Sequence, residues 1–207
     1  MIGSLFSGVG GLDWAVETVT GLRTAWQLDL VGEAVRRRHW PDALQVVADV
    51  ATVDPASLPR IEVLCGGFAC TDLSCAGAGA SREDLEAGAR TGPTYLGLLR
   101  FATILRPRLV VMENVPALLG HQWRIERVFR EIGYGLSWVR CGAWDAGAPH
   151  IRRRVFVIAE QGAIGRGVVD APDSGRWRGD AEREWPTPTG QDAASASVEP
   201  YNRPVRH

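Results

Sequence analysis

Short apolar runs alternate with amphipathic stretches along most of the chain. Residues 2–6 form an apolar run of strand length that meets Ser7-Gly8-Val9-Gly10-Gly11, after which Leu12, Ala15, Val16 and Val19 recur at helical spacing. Residues 22–30 predict a second strand with polar Gln27 and Asp29 near its end. A helix over 33–39 follows, stopped by Pro41. Residues 44–50 predict a third strand that ends on Asp49, and residues 61–65 a fourth that breaks on Gly66-Gly67. A polar, glycine-rich stretch (81–92) precedes a helix over 94–106, with Leu96, Leu99, Ala102, Ile104 and Leu105 expected inward and Pro107 ending it. Residues 109–112 read as a fifth buried strand that delivers Glu113-Asn114-Val115-Pro116. A helix over 121–133 places Ile125, Val128, Phe129 and Ile132 in phase, and residues 136–141 and 155–159 predict two more strands. This alternation belongs to the α/β class: an open, doubly wound, mostly parallel sheet with helices on both faces and strands ending toward one crevice.

Composition narrows the class without naming a chemistry. With 207 residues, 45% hydrophobic and 23% charged, one domain with a real core is the expectation. No apolar run reaches bilayer length and no charged-then-apolar leader opens the chain, so the expectation is a cytoplasmic protein with no membrane partner. A net charge of −1 gives no global signal for nucleic acid and leaves that role to a local patch. All 23 basic residues are Arg, which codon bias in a GC-rich genome explains more readily than a preference for phosphate. Cys65, Cys70, Cys75 and Cys141 make no CxxC pair and have no clustered His, so neither a metal site nor a disulfide framework is expected. From Gln161 the chain turns to Gly, Pro, Arg, Asp and Ser. The division expected is therefore a body over 1–160 and an extended or disordered tail over 161–207, which Trp177 and Trp185 are placed to pin.

Several strand ends carry candidate chemistry. Cys70 lies on a glycine-flanked loop just past a strand, where open α/β sheets put reactive groups, and reads as a nucleophile. Cys65, within the strand, and Cys75, past the turn, read as packing residues. Strand, glycine loop and helix over Phe6–Gly11 bring backbone close to a nucleotide, although the same pattern also fits a tight turn with no ligand. Asp29 and Asp49 end successive strands, where a carboxylate meets ribose hydroxyls or an adenine amine; either alone more often faces solvent. Glu113 faces the same crevice as Cys70 and suits an acid, a base or a hydrogen-bond anchor, or else a helix-start carboxylate before Pro116. In an alternating strand Arg152 and Arg154 share one face and Arg153 takes the other. Two Arg entering a core strand need an anion or carboxylate, unless they are a charge run guarding an edge.

Taken in order, Phe6-Ser-Gly-Val-Gly-Gly11, Asp49, Gly67-Phe-Ala-Cys70, Glu113-Asn-Val115 and Arg152-Arg-Arg154 resemble the conserved blocks of cytosine-5 DNA methyltransferases across about residues 1–160. The resemblance implies the Rossmann-like sheet of S-adenosylmethionine-dependent methyltransferases, that cofactor as methyl donor, and DNA as partner. Phe6, Ser7, Gly8, Gly10, Gly11 and Leu12 would hold the methionine part. Gln27 stands where the family has an acidic ribose ligand, with Asp29 as its stand-in. Asp49 would face the adenine, and Leu28 and Val50 complete the cofactor set. The target cytosine would be flipped from the duplex and attacked at ring carbon 6 by the Cys70 thiolate. Glu113 would hold the ring nitrogen and exocyclic amine, Arg154 the base carbonyl, and Arg152 the pocket near the phosphate. Phe68, Asn114 and Val115 would line the base. The chain departs from the pattern at Ala69, Thr71 and His150, where the family has Pro, Gln and Gln. Residues 161–207 resemble neither its recognition domain nor its closing helix, apart from Trp185-Pro-Thr-Pro-Thr-Gly, which looks like the opening of the former. The resemblance thus implies a minimal, truncated or split enzyme, phage-borne in one version, with a second chain able to carry recognition. The alternatives are a degenerate cofactor- or partner-binding module and a methyltransferase acting on tRNA or nucleotides.

Overall fold

The computed structural model describes residues 1–70, 91–165 and 167–170. Two central strands, β1 (Ile2–Leu5) and β4 (Val63–Gly66), are buried at every position, as parallel strands covered on both faces must be. They pair with each other and are flanked by β2 (Thr24–Leu28), β3 (Leu44–Val46) and β5 (Leu109–Asn114), giving the parallel order β3-β2-β1-β4-β5. The sheet continues through β7 (Arg153–Gln161), which runs antiparallel to both β5 and β6 (Tyr134–Gly142). A final strand, β8 (Val168–Asp170), lies parallel to β6, so the sheet extends past residue 160 to Asp170.

The helices take opposite faces. On one face α3 (Thr91–Leu105) and α4 (Gln122–Glu131) cover a large core that joins Leu5, Trp26, Leu28, Leu64, Val110 and Met112 to Leu98, Phe101, Ile125 and Phe129. On the other face α1 (Gly11–Thr20) closes a small core of Ile2, Val16, Val63 and Cys65. Arg36 is the buried residue of α2 (Glu33–His39), whose limits match the sequence expectation. No described helix is long and apolar enough to cross a membrane.

Two helix faces differ from the sequence expectation. In α1, Ala15 and Val19 are exposed and the inward positions are Val16 and Asp13, because the sheet beneath presents polar Ser4 and Gln27. In α3, Leu96 and Ile104 are exposed, and Tyr95, Leu98, Phe101 and Ala102 point inward. Gly97 explains that rotation: a Cβ there would stand 2.6 Å from Val50 Cγ1, so only glycine lets α3 lie this close to the 50–53 turn. The approach drives Phe101 against Trp26 (ring centroids 5.9 Å) and Tyr95 against Phe68 (5.5 Å). The 81–90 part of the expected glycine-rich stretch, Thr71, Cys75 and the 171–207 part of the tail lie outside the described residues.

Candidate active site at the switch point of the sheet

The chain leaves β1 toward β2 on one side and leaves β4 toward β5 on the other, so the strand order reverses between β1 and β4. The crevice outside the carboxyl ends of such a pair is where open α/β sheets bind ligands. Leu5 and Gly66 are register partners at those ends, and Gly66 pairs in turn with Met112 of β5. The Phe6–Gly10 loop, the Gly67–Cys70 loop and Glu113 therefore leave three neighbouring strands at one level.

The glycine loop is held from below. Phe6, Gly8 and Gly10 all have positive φ (54°, 55° and 89°), which turns successive backbone amides. Ser7 Oγ donates to Ser4 Oγ (2.8 Å), and Gly10 N–H donates to Ser7 O (2.7 Å). Gly10 caps α1 and supplies no side-chain hydrogen bond to the helix's first turn. Asp29 is committed to this loop: its Oδ2 accepts from Gly8 N–H (2.7 Å) and its Oδ1 from Val31 N–H (3.1 Å). Arg36 takes the carbonyls of the same two residues, with Nη1 donating to Gly8 O (2.6 Å) and to Val31 O.

Beneath the loop runs a buried polar chain. Arg36 Nε donates to Gln45 Oε1 (2.9 Å), Gln45 Nε2 to Gln27 Oε1 (2.7 Å), and Gln27 Nε2 to Asp13 Oδ1 (2.6 Å). Arg36, Gln27 and Asp13 are fully buried. Burial holds the Asp13 carboxyl above the usual carboxylate range, against the lowering effect of its Gln27 and Ser4 hydrogen bonds. Gln27 therefore faces Asp13 and Gln45 inside the protein instead of the crevice, and Leu28 lies in the core of the opposite face. Of the ribose-side residues expected from the sequence, Gln27 bonds the Asp13 and Gln45 side chains, Asp29 bonds the Gly8 and Val31 amides, and Leu28 packs in the core.

Asp49 is exposed beyond β3 and folds its own turn, with Oδ1 accepting from Ala51 N–H (2.8 Å). Val50 beside it is buried, and Arg100 Nη2 ties that turn to α3 through Val50 O (2.6 Å) and Val53 O (2.8 Å).

The Cys70 loop is anchored at two points. Asn114 Nδ2 donates to Phe68 O (3.0 Å), and Ala69 N–H donates to Thr94 Oγ1 (3.1 Å). Phe68 and Asn114 are buried, and Asn114 Oδ1 also accepts from Val115 N–H (2.8 Å), so both serve as loop supports. Cys70 is half-buried with a free thiol. A Cβ on Gly67 would come within 3.0 Å of Glu113 Oε2, which places the carboxylate directly against the loop's backbone. Glu113 Oε1 also meets Arg154 Nε at 2.6 Å, with both side chains about three-quarters buried (26% and 24% exposed). The carboxylate partner expected for an inward Arg is thus Glu113. Arg152 does not share that position: it precedes β7 and is exposed, because the strand begins only at Arg153. Cys65 is fully buried and its thiol is pushed far up by desolvation. Cys141 is also held above the usual thiol range, by partial burial first and by the Asp145 and Glu113 charges after it.

Sequence reasoning missed Asp13, Arg36, Gln45 and Thr94. One signal was present: Gln27 and Gln45 are polar residues inside otherwise apolar strands, and they are register partners.

Comparison with known proteins supplies a family and a fold. Residues 1–170 match the family model described as C-5 cytosine-specific DNA methylase. The chain is 28% identical over 165 residues to the type II methyltransferase M.Bsp6I of Bacillus sp. (strain RFL6), covering 76% of this chain and 51% of that one. It is 30% identical over 173 residues to the type II methyltransferase M.AluI of Cellulosimicrobium cellulans, covering 75% of this chain and 32% of that one. The chain thus spans about half or less of the curated relatives it matches. Among solved structures, a DNMT2 variant of Spodoptera frugiperda shares the fold, with a TM-score of 0.63 at 16% identity, covering 82% of this chain and 54% of that one.

Proposed function

We propose, because the chain belongs to the C-5 cytosine-specific DNA methylases, that it is the catalytic region of an enzyme that methylates carbon 5 of cytosine in DNA. What supports this most is the convergence at one switch point. The glycine loop after β1, the Cys70 loop after β4 and Glu113 at the end of β5, paired with Arg154 at the start of β7, lie at the carboxyl ends of three adjacent strands.

The residues present suit S-adenosylmethionine. Gly8 and Gly11 have open space where a Cβ would stand, and α1 offers uncapped first-turn amides beside them. Phe6, Ser7, Gly8, Gly10, Gly11 and Leu12 hold its methionine part, and Asp49 with Val50 borders its adenine. Bound there, the cofactor supplies an electrophilic methyl group.

The chain's own residues do the rest. The Cys70 thiolate adds to carbon 6 of a flipped-out cytosine, forming the S–C6 bond and moving the ring electron pair to carbon 5. Glu113 hydrogen-bonds the ring nitrogen and exocyclic amine, which stabilises the electron-rich ring. Arg154 keeps the carboxylate turned toward the Cys70 loop and reaches the base carbonyl. Exposed Arg152 meets the flanking phosphate. Once carbon 5 carries the methyl group, it loses its proton to a base, and the electron pair released expels Cys70 Sγ.

Incubation with tritiated S-adenosylmethionine and, separately, cytosine-rich duplex DNA, tRNA and deoxycytidine nucleotides tests the reading. Label on DNA that disappears in Cys70→Ala supports it. Label only on tRNA or nucleotides transfers the chemistry to another substrate. No label on any of them, with cofactor binding intact, leaves a degenerate binding module.

A further inference from the structure

The arrangement beneath the glycine loop is more than packing. Gly8 and Val31 belong to the turns after β1 and β2, and each is bonded twice, N–H to the Asp29 carboxylate and C=O to the Arg36 guanidinium. The two turns are thereby stapled together through one anion and one cation. A third element enforces the contact. Gly32 has φ +79°, and a Cβ there would stand 2.0 Å from Gly8 O, so only glycine permits the approach.

Arg36 is costly where it is. It is fully buried, its Nη2 has no hydrogen-bond partner, and it forms no ion pair among the described residues. Its neighbours Arg37 and Arg38 are exposed. The Gln45–Gln27–Asp13 chain links it to a carboxyl on α1, the helix that the glycine loop starts. A buried guanidinium supported by so extended a chain, and spending two bonds on loop carbonyls, fixes backbone geometry.

We propose that Arg36 and Asp29 form a two-sided clamp that sets the glycine loop for the cofactor, with Arg36 a positioning residue for cofactor binding. The proposal rests on the reading of that loop as the cofactor site. The clamp holds Gly8 at its positive φ before the ligand arrives, so the ligand does not have to order the loop.

The test is isothermal titration of the full chain with S-adenosylhomocysteine, combined with amide hydrogen exchange. Arg36→Met is expected to weaken binding about tenfold or more, from loss of hydrogen bonds to a charged group. It should also speed exchange at Gly8 while the β1 and β4 amides keep their protection, a pattern that general loosening does not produce. Arg36→Lys, which keeps the charge and can reach one carbonyl, should restore part of the affinity. Arg37→Met, in the exposed pair with Glu33, should change nothing. If Arg36→Met does not fold, Gly32→Ala decides the matter: it keeps the Arg36 side chain, pushes the turns apart at Gly8 O, and should also weaken binding about tenfold. Wild-type binding with unchanged affinity in the folded variant overturns the clamp. Failure of the wild type to bind at all overturns the cofactor reading of the loop, and the clamp with it.

Discussion

Removing the Arg154 guanidinium while Glu113 stays in place measures what the ion pair contributes at the mouth of the site. Arg154 Nε and Glu113 Oε1 are 2.6 Å apart, and the side chains are 24% and 26% exposed. A solvent-exposed pair is worth about 0.2–1 kcal/mol. A hydrogen bond to a charged group inside a protein reaches about 1.5–3 kcal/mol. This pair lies between those limits, and with its residual exposure screening it, a coupling of about 1–2 kcal/mol is expected. The assay is a double-mutant cycle. Urea unfolding of Arg154→Met, Glu113→Gln and the double variant should show the double close to the weaker single, because either change already removes the pair. Activity adds a second axis: Arg154→Met should lower kcat/KM by about a hundredfold, since Glu113 loses the partner that turns it toward the Cys70 loop. Strictly additive stabilities, with a coupling below about 0.4 kcal/mol, would mean a screened contact that does not hold Glu113, and would refute the reasoning.

Further expectations concern Asp13 and the thiols. Burial raises the Asp13 pKa in the folded chain, so its contribution to stability is present at pH below the unfolded carboxylate value and is lost as pH rises through the folded value. Asp13→Asn, which can still accept from Gln27, should therefore gain stability relative to wild type as pH rises above the unfolded carboxylate value of about 3.9; a difference independent of pH in urea unfolding counts against the buried chain. With iodoacetamide and peptide mass mapping of the folded protein, Cys65 should stay unlabelled and Cys141 should label slowly, because both thiols are held above their usual range. Rapid labelling of Cys65 would contradict its place in the sheet.

Much of the frame was legible because its signals are local. The α2 limits, the strand order of chemistry and the delivery of Glu113 by β5 follow from short apolar runs broken by Gly and Pro. The α3 face was not legible, because Leu96, Leu98 and Leu99 give that helix apolar residues all round; the choice among them is made by Gly97 against Val50, a contact between distant segments. The antiparallel insertion of β7 between β5 and β6 leaves no mark in periodicity. At the candidate site, the strand-end placement of Cys70 and Glu113 was legible from the apolar runs before them. Asp29 also ends a strand, and its bonds from the Gly8 and Val31 amides have no local mark in the sequence. Arg36 was hidden within a run of three Arg on a helix, where a charged residue is ordinarily solvated.

Covalent capture tests the Cys70 nucleophile most directly. A duplex carrying fluorinated cytosine, incubated with the full chain and S-adenosylmethionine, should trap the enzyme, because carbon 5 then has no proton to lose and Cys70 cannot be expelled. A stable protein–DNA adduct is expected whose peptide map places the bond on Cys70, with none formed by Cys70→Ala. An adduct on another residue, or none from a protein that binds the cofactor and methylates unmodified DNA, would contradict that role of Cys70.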